Sequence, residues 1–288
     1  MSDRAILRPG VLHSRGLHSA VLILAALTPS IALGVDSVEG PSRLGAFAFA
    51  DSSGMRIIAL TRIIEPESVR VLLAAEGRQF PVRYVRDQEP TDLGSGREMA
   101  YNFEHCEGQI FRLEGARIWP DETCFLAGDS LMAMGATLHL TPRHESRDIR
   151  GDQIGENDSF VDSKHRGLRA SWFIAEIPDR GWVDLYEFVP QGRDYLASIA
   201  LWLDSRLVAG YDLPAKLSDA DPSSLWRIGD GGQLCSECFE VLFVIEGPGQ
   251  HYMATSWEAE EGESLKLLRS EGAEFKLALS GYRYWYPR

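Results

Sequence analysis

Apolar and polar positions alternate with a period near two along most of this chain, which is the spacing of a strand with one buried face. The runs "RLGAFAFA" (43–50), "MRIIALTRII" (55–64), "VRVLLAA" (69–75) and "QFPVRYV" (79–85) are short and are punctuated by Gly, Pro and Asp. "QIFRL" (109–113) and "GATLHLTP" (135–142) extend the series. In the second half, "LRASWFIAEIP" and "GWVDLYEFVP" flank Asp179-Arg180 and predict a hairpin. "YLASIALWLD" and "RLVAGYDLP" predict another around Asp204-Ser205. "FEVLFVIEG", "QHYMATSWEAEE", "ESLKLLRS", "EFKLALSG" and the terminal "YRYWYP" complete the set. The windows 129–136 and 194–204 fit a buried helix or a buried strand equally well, because length alone does not separate the two.

The fold class expected is therefore all-β: an antiparallel β-sandwich or β-barrel-like architecture, in one or two β-rich domains. The stretch 142–167, "PRHESRDIRGDQIGENDSFVDSKHRG", carries only Ile149, Ile154, Phe160 and Val161 as apolar residues. A polar run of that length reads as a linker or a long functional loop. Treated as a linker, it separates a β-rich region 35–141 from an antiparallel β region 168–288, each with one cysteine pair. A single sandwich or barrel with one long surface loop is the alternative. No internal repeat indicates a propeller or solenoid.

The first 34 residues break the pattern. Arg4, Arg8 and Arg15 precede the apolar run "AVLILAALT", then Pro29, then "SIALG" with small residues at 32 and 34. This is the anatomy of a secretory signal peptide, residues 1–34, with cleavage expected before Val35. The run is shorter than the roughly 20 apolar residues a membrane span needs, so no stable span is expected after signal removal. Periplasmic or secreted localisation follows. The chain carries a formal charge of −13. Losing three arginines and one aspartate with the signal deepens that to −15. Such a field repels phosphate backbones, which excludes nucleic acid as a natural partner.

Four cysteines behind a signal peptide predict disulfides. Cys106–Cys124 and Cys235–Cys238 are the simplest connectivity of the three that four cysteines allow. "CSEC" (235–238) can close on itself as a β-turn, whose ends lie within about 7 Å. A redox role for C-x-x-C needs a helix start after the motif, and "FEVLFVIEG" reads instead as a buried strand. A four-cysteine zinc site lacks a second close pair.

Catalytic chemistry has one local pointer. "GDSL" (128–131), "GEND" (155–158) and "DSKH" (162–165) resemble the nucleophile, G-x-N-D and D-x-x-H blocks of the SGNH, or GDSL-type, hydrolases. The resemblance implies Ser130 as nucleophile, Asn157 as oxyanion donor, and Asp162 with His165 as the orienting acid and base of an ester hydrolase. All three blocks lie within 38 residues here, from Gly128 to His165. The family spreads them over strand–helix crossovers of a dozen or more residues each. With the flanking chain reading as consecutive strands, a turn at Gly128-Asp129-Ser130 competes with the catalytic assignment.

Other chemistry is sparser. Asp152, Glu156, Asp158 and Asp162 are possible calcium ligands but do not follow the calcium-loop pattern. No H-x-H or H-E-x-x-H spacing occurs, so neither a metal nor a cofactor is expected. In the terminal "GYRYWYPR", Tyr282, Tyr284 and Tyr286 fall on one face of a strand, with Arg283 and Trp285 on the other. Aromatics so placed present a platform for sugar rings or a partner protein. The expectation is an exported, non-catalytic binding protein of the cell envelope, its partner a small molecule, a glycan or an envelope protein. A serine ester hydrolase using Ser130 is the alternative.

Overall fold

The computed structural model describes residues 42–146 and 158–285. The expected signal peptide (1–34), Asn157, Tyr286 and the loop acids Asp152 and Glu156 lie outside these residues. The described chain is all-β, as the period of two predicts, with a few short helices. The described residues all belong to one compact unit.

Six strands close a small antiparallel barrel in the order β1-β2-β5-β4-β3-β6. They are β1 Gly45–Ala50, β2 Arg56–Ala59, β3 Val71–Leu73, β4 Gln79–Gln88, β5 Gly108–Leu113 and β6 Thr123–Ala127. The β1 sequence shows how its composition fits a narrow barrel. Ala46, Ala48 and Ala50 point inward among Ile57, Leu72, Phe111 and Leu126. Phe47 and Phe49 alternate with them on the outer face, yet they too are buried. Phe49 meets Phe103 and Ile110 on the barrel wall, and Phe47 packs with Phe125 and Phe243 against the second sheet.

That second sheet is a curled half-barrel of ten strands, ordered β7-β13-β14-β15-β16-β12-β11-β10-β9-β8. Two antiparallel meanders build it. The first comprises β9 Leu168–Ile177, β10 Gly181–Phe188, β11 Asp194–Leu203 and β12 Arg206–Lys216. The second comprises β13 Phe239–Gly247, β14 Gln250–Glu258, β15 Gly262–Glu271 and β16 Glu274–Tyr284. They join through a single parallel contact, Gly210 with Glu274. The strands β7 Ala136–Leu138 and β8 Thr141–Ser146 pair with β13 and β9 respectively, so two intervening residues link opposite edges of the curl. Residues 142–146, placed in the polar connector by composition, thus form an edge strand. No apolar pattern marks it, because both faces are largely exposed and backbone pairing holds it.

Both sequence-predicted hairpins are present. At Asp204-Ser205 the loop has two residues with φ of 49° and 60°, the twist a two-residue hairpin requires of its turn. The ambiguous window 194–204 is the buried strand β11, whereas 129–136 begins with the short helix α1 Asp129–Met132. "EFKLALSG" and the first three residues of "YRYWYP" merge into the one strand β16, which ends at Tyr284, with Gly281 at the junction. A side chain at Gly281 would come within 3.3 Å of the Phe47 ring, so its absence lets the barrel lie against β16.

Cys235 and Cys238 are disulfide-bonded. The expected Cys106–Cys124 bridge is corrected: both are free thiols. Cys124 points into the barrel interior, its Sγ 3.5 Å from the Ala48 carbonyl. Cys106 follows the 3-10 turn Ala100–His105 on the outer wall beside Phe103. The two sulfurs occupy opposite faces of the same wall, which no side-chain rotation overcomes.

Candidate binding cleft and its tyrosine rim

The ends of β2, β4 and β5 and the segment 89–107 enclose a cleft of about 470 Å³. The segment carries no long apolar run, and polar side chains hold it in place. The Gln88 amide donates to the carbonyls of Phe103 at 2.7 Å and Cys106 at 2.9 Å. Asn102 donates to the Arg97 carbonyl at 2.7 Å and accepts from the Ser95 amide. Gln109 clamps both backbone groups of Ile63. All three amides are buried and serve the walls.

The groups left facing the cleft are mostly acidic. Asp87, Glu89, Glu98 and Glu107 line it, with Arg62 paired to Asp87 at 3.7 Å. His105 Nδ1 lies 2.6 Å from the Thr91 hydroxyl. Burial raises the pKa of Glu98, against an opposing hydrogen bond from the Tyr284 amide and the charge of Arg283. Burial, reinforced by Glu98, pushes the Cys106 thiol up to about 11. It is therefore protonated at neutral pH and is a poor nucleophile there.

Strand β16 supplies the rim. Its alternation sends Arg283 inward and leaves Tyr282 and Tyr284 outward, 49% and 36% exposed. Glu98 and Tyr284 exchange hydrogen bonds: the Glu98 amide donates to the Tyr284 carbonyl at 2.8 Å, and the Tyr284 amide donates to Glu98 Oε2 at 2.7 Å. Tyr101, 61% exposed, lies on the 3-10 turn one residue before Asn102 of the cleft wall, and Tyr101 and Tyr284 both act on the Arg97 guanidinium, raising its pKa. Tyr101, Tyr284 and Tyr282 thus present aromatic surface beside the cleft. Tyr101 and Arg97 carried no signal in the sequence, because some 180 residues separate them from Tyr284.

Arg283 fixes this arrangement from beneath. Its guanidinium donates to the Glu98 carbonyl at 2.9 Å, to the Asp121 carbonyl at 2.6 Å and to Thr123 Oγ1 at 2.8 Å. It also pairs with Asp121 at 3.1 Å and with Glu263 at 3.6 Å. Barrel, cleft segment and curled sheet meet on one side chain.

The residues of the hydrolase-like blocks lie elsewhere. Ser130, on α1, donates its hydroxyl to the Arg43 carbonyl at 2.7 Å. Asp162 ends the helix α2 Asp158–Asp162, and His165 follows with its amide bonded to the Asp162 carbonyl at 3.0 Å. This helix lays Phe160 on Tyr186 and Trp202 of the curled sheet. Among the described residues no hydrogen bond joins Ser130 to a histidine. Nor do three or more His, Cys, Asp or Glu side chains gather there in a metal-binding group. No helix among them is long and apolar enough to cross a membrane. No family model, no curated protein and no solved structure matches this chain.

Proposed function

We propose that the protein is an exported ligand-binding protein of the cell envelope and that its recognition surface is the acidic cleft with its tyrosine rim. The basic-then-apolar N-terminus supports export. The observation that carries the binding reading is the exposure of Tyr101, Tyr282 and Tyr284 beside a cleft of about 470 Å³ lined by carboxylates. The chemistry suits a glycan. Tyrosine faces stack on the apolar faces of sugar rings, and fixed carboxylates accept hydrogen bonds from hydroxyl groups. The amides behind them are already committed, so the walls reach the ligand preorganised.

The test is titration of the mature protein with a panel of neutral, acidic and amino-sugar oligosaccharides, followed by calorimetry and by NMR of tyrosine rings. Binding by at least one oligosaccharide class is expected. Tyr101→Ala and Tyr284→Ala should each weaken it by roughly tenfold, the loss of a stacking contact worth about 1.4 kcal/mol. Binding that ignores both substitutions, or no binding across the panel, overturns the assignment. Export is checked separately, by the N-terminus of protein secreted from a bacterial host, expected near Val35.

A further inference from the structure

The inner face of the curled sheet holds an apolar core built from Ile199, Leu213, Phe239 and Leu268 among others. One patch of that face is polar. On β14 and β15, Thr255 stands opposite Lys266, and Trp257 opposite Ser264. All four side chains line one small cavity within the apolar core. Lys266 is one of four lysines in the chain. Its ammonium lies 5.1 Å from the centre of the Tyr211 ring. Among the described residues it makes no hydrogen bond or ion pair, and burial lowers its pKa. Trp257 is only 7% exposed, and its Nε1 has no acceptor. Arg227 lies over the Trp257 ring at 5.5 Å, and its Nε is likewise buried without an acceptor. Among the described residues no carboxylate lines the cavity, so in a chain of net charge −13 Lys266 and the Trp257 indole stand there as donors without an anion, whereas Arg227 has Asp230 and Glu258 beside it. A buried donor left unbonded costs on the order of 1–3 kcal/mol, so such a cluster calls for an acceptor from outside the chain.

Residues 217–238 connect β12 to β13 without helix or strand, longer than ordinary connections run. They place Trp226, Leu234 and Cys238 on the inner core. The segment is internally rigid: the Asp230 carboxylate accepts the amides of Leu225, Trp226, Arg227 and Gly232 at 2.7–3.0 Å. It is tied to the sheet at both ends, where Arg193 bonds the Leu217 carbonyl and pairs with Asp219 and where His144 Nδ1 lies 3.1 Å from the Ser236 carbonyl, and also in its middle. Trp226 Nε1 donates to the Leu213 carbonyl at 2.9 Å, Arg227 donates to the Glu258 carbonyl, and the Cys238 carbonyl accepts from the Glu258 amide at 2.8 Å. Trp226 stands against Trp257, ring centres 6.4 Å apart. The enclosed space is about 10 Å³, room for about one water, and anything larger has to move the side chains around it.

We propose that the interior of the curled sheet is a second ligand site, which takes the carboxylate of a single-chain amphiphile such as a medium-chain fatty acid. The head group meets Lys266, Trp257 and the hydroxyls of Thr255 and Ser264. The tail replaces Trp226 along the apolar face as the 217–238 segment lifts. The acidic exterior disfavours free anions. An alkyl tail supplies the apolar driving force that a bare anion lacks.

The experiment titrates the mature protein with dodecanoate, dodecanol and inorganic phosphate, each ligand below its aggregation threshold. Tryptophan fluorescence and calorimetry report binding, on wild type and on Lys266→Met and Trp226→Ala. Dodecanoate is expected to bind one to one and roughly tenfold or more tighter than dodecanol, from the charge-assisted hydrogen bonds of the head group. Lys266→Met should erase that preference, and Trp226→Ala should accelerate association. Equal affinity for acid and alcohol, a preference that survives Lys266→Met, or no dodecanoate binding to either wild type or Trp226→Ala overturns the proposal. Binding of phosphate in place of the amphiphile overturns the ligand class. The acid-against-alcohol comparison on wild type decides the matter even if Lys266→Met does not fold.

Discussion

Arg283 and Glu263 face each other across neighbouring strands, 3.6 Å apart, with side chains 3% and 4% accessible. Burial acts on both, raising the Glu263 carboxyl and lowering the Arg283 guanidinium, each against the attraction of the other. The pair is held by its surroundings: Glu263 accepts from Thr123 and Ser256, and Arg283 donates to four further acceptors.

Removing the cation strands a buried carboxylate, and Arg283→Met should therefore cost about 3–5 kcal/mol of stability. Glu263→Gln is expected to cost less, roughly 2 kcal/mol, because Asp121 remains beside the guanidinium. Urea unfolding of the two variants checks the order. Arg283→Met should also loosen the cleft, which NMR of residues near Glu98 would detect.

Glu240 gives the protein a pH dependence. It stands opposite Ser256 on β13, and burial pushes it up to about 7, with Glu263, Glu258, Glu122 and Glu76 adding in that order. The folded chain keeps this proton at pH values where the unfolded chain has lost it. The stability it confers is complete below the ordinary value of 4.5 and is lost as pH rises through about 7. The loss amounts to about 3 kcal/mol at 1.36 kcal/mol per pH unit. Glu240→Gln should match wild type near pH 4, exceed it near pH 8, and flatten the profile of unfolding free energy between them.

The thiols give a chemical check on the fold. Intact mass should be two hydrogens below the fully reduced chain, for the one bond between Cys235 and Cys238. Two thiols should react once the protein is unfolded without reductant. In the native state Cys106 should alkylate slowly at pH 8, its thiol pushed up to about 11. Cys124 should react only on unfolding, since the barrel interior encloses it.

A fluorophosphonate probe should leave the folded protein unmodified. The Ser130 hydroxyl is bonded to the Arg43 carbonyl, and an unactivated serine is a weak nucleophile. Ser130→Ala is expected to lower stability by about 1 kcal/mol, one hydrogen bond's worth. A single adduct that disappears in Ser130→Ala would instead establish the ester-hydrolase alternative.

What the sequence determined by itself was the local part. A period of two follows from backbone geometry, so the strands β9 to β16 and the turns at Asp179-Arg180 and Asp204-Ser205 could be read from it. The outward placement of Tyr282 and Tyr284 against an inward Arg283 has the same origin. What only the tertiary structure decided was which surfaces meet. The alternation in "GAFAFA" is the same whether the phenylalanines face solvent or a second sheet, and packing on Phe125 and Phe243 settled it. The run "GATLHLTP" read as one strand but splits into β7 and the start of β8, and the continuation of β8 to Ser146 was invisible because backbone hydrogen bonds hold it, and these carry no side-chain pattern. Cys106 and Cys124 read as a pair by count, yet they lie on opposite faces of the barrel wall. The cleft rim and the donor patch at Lys266 each join residues from separate strands or segments, a relationship that exists only once the sheets have closed.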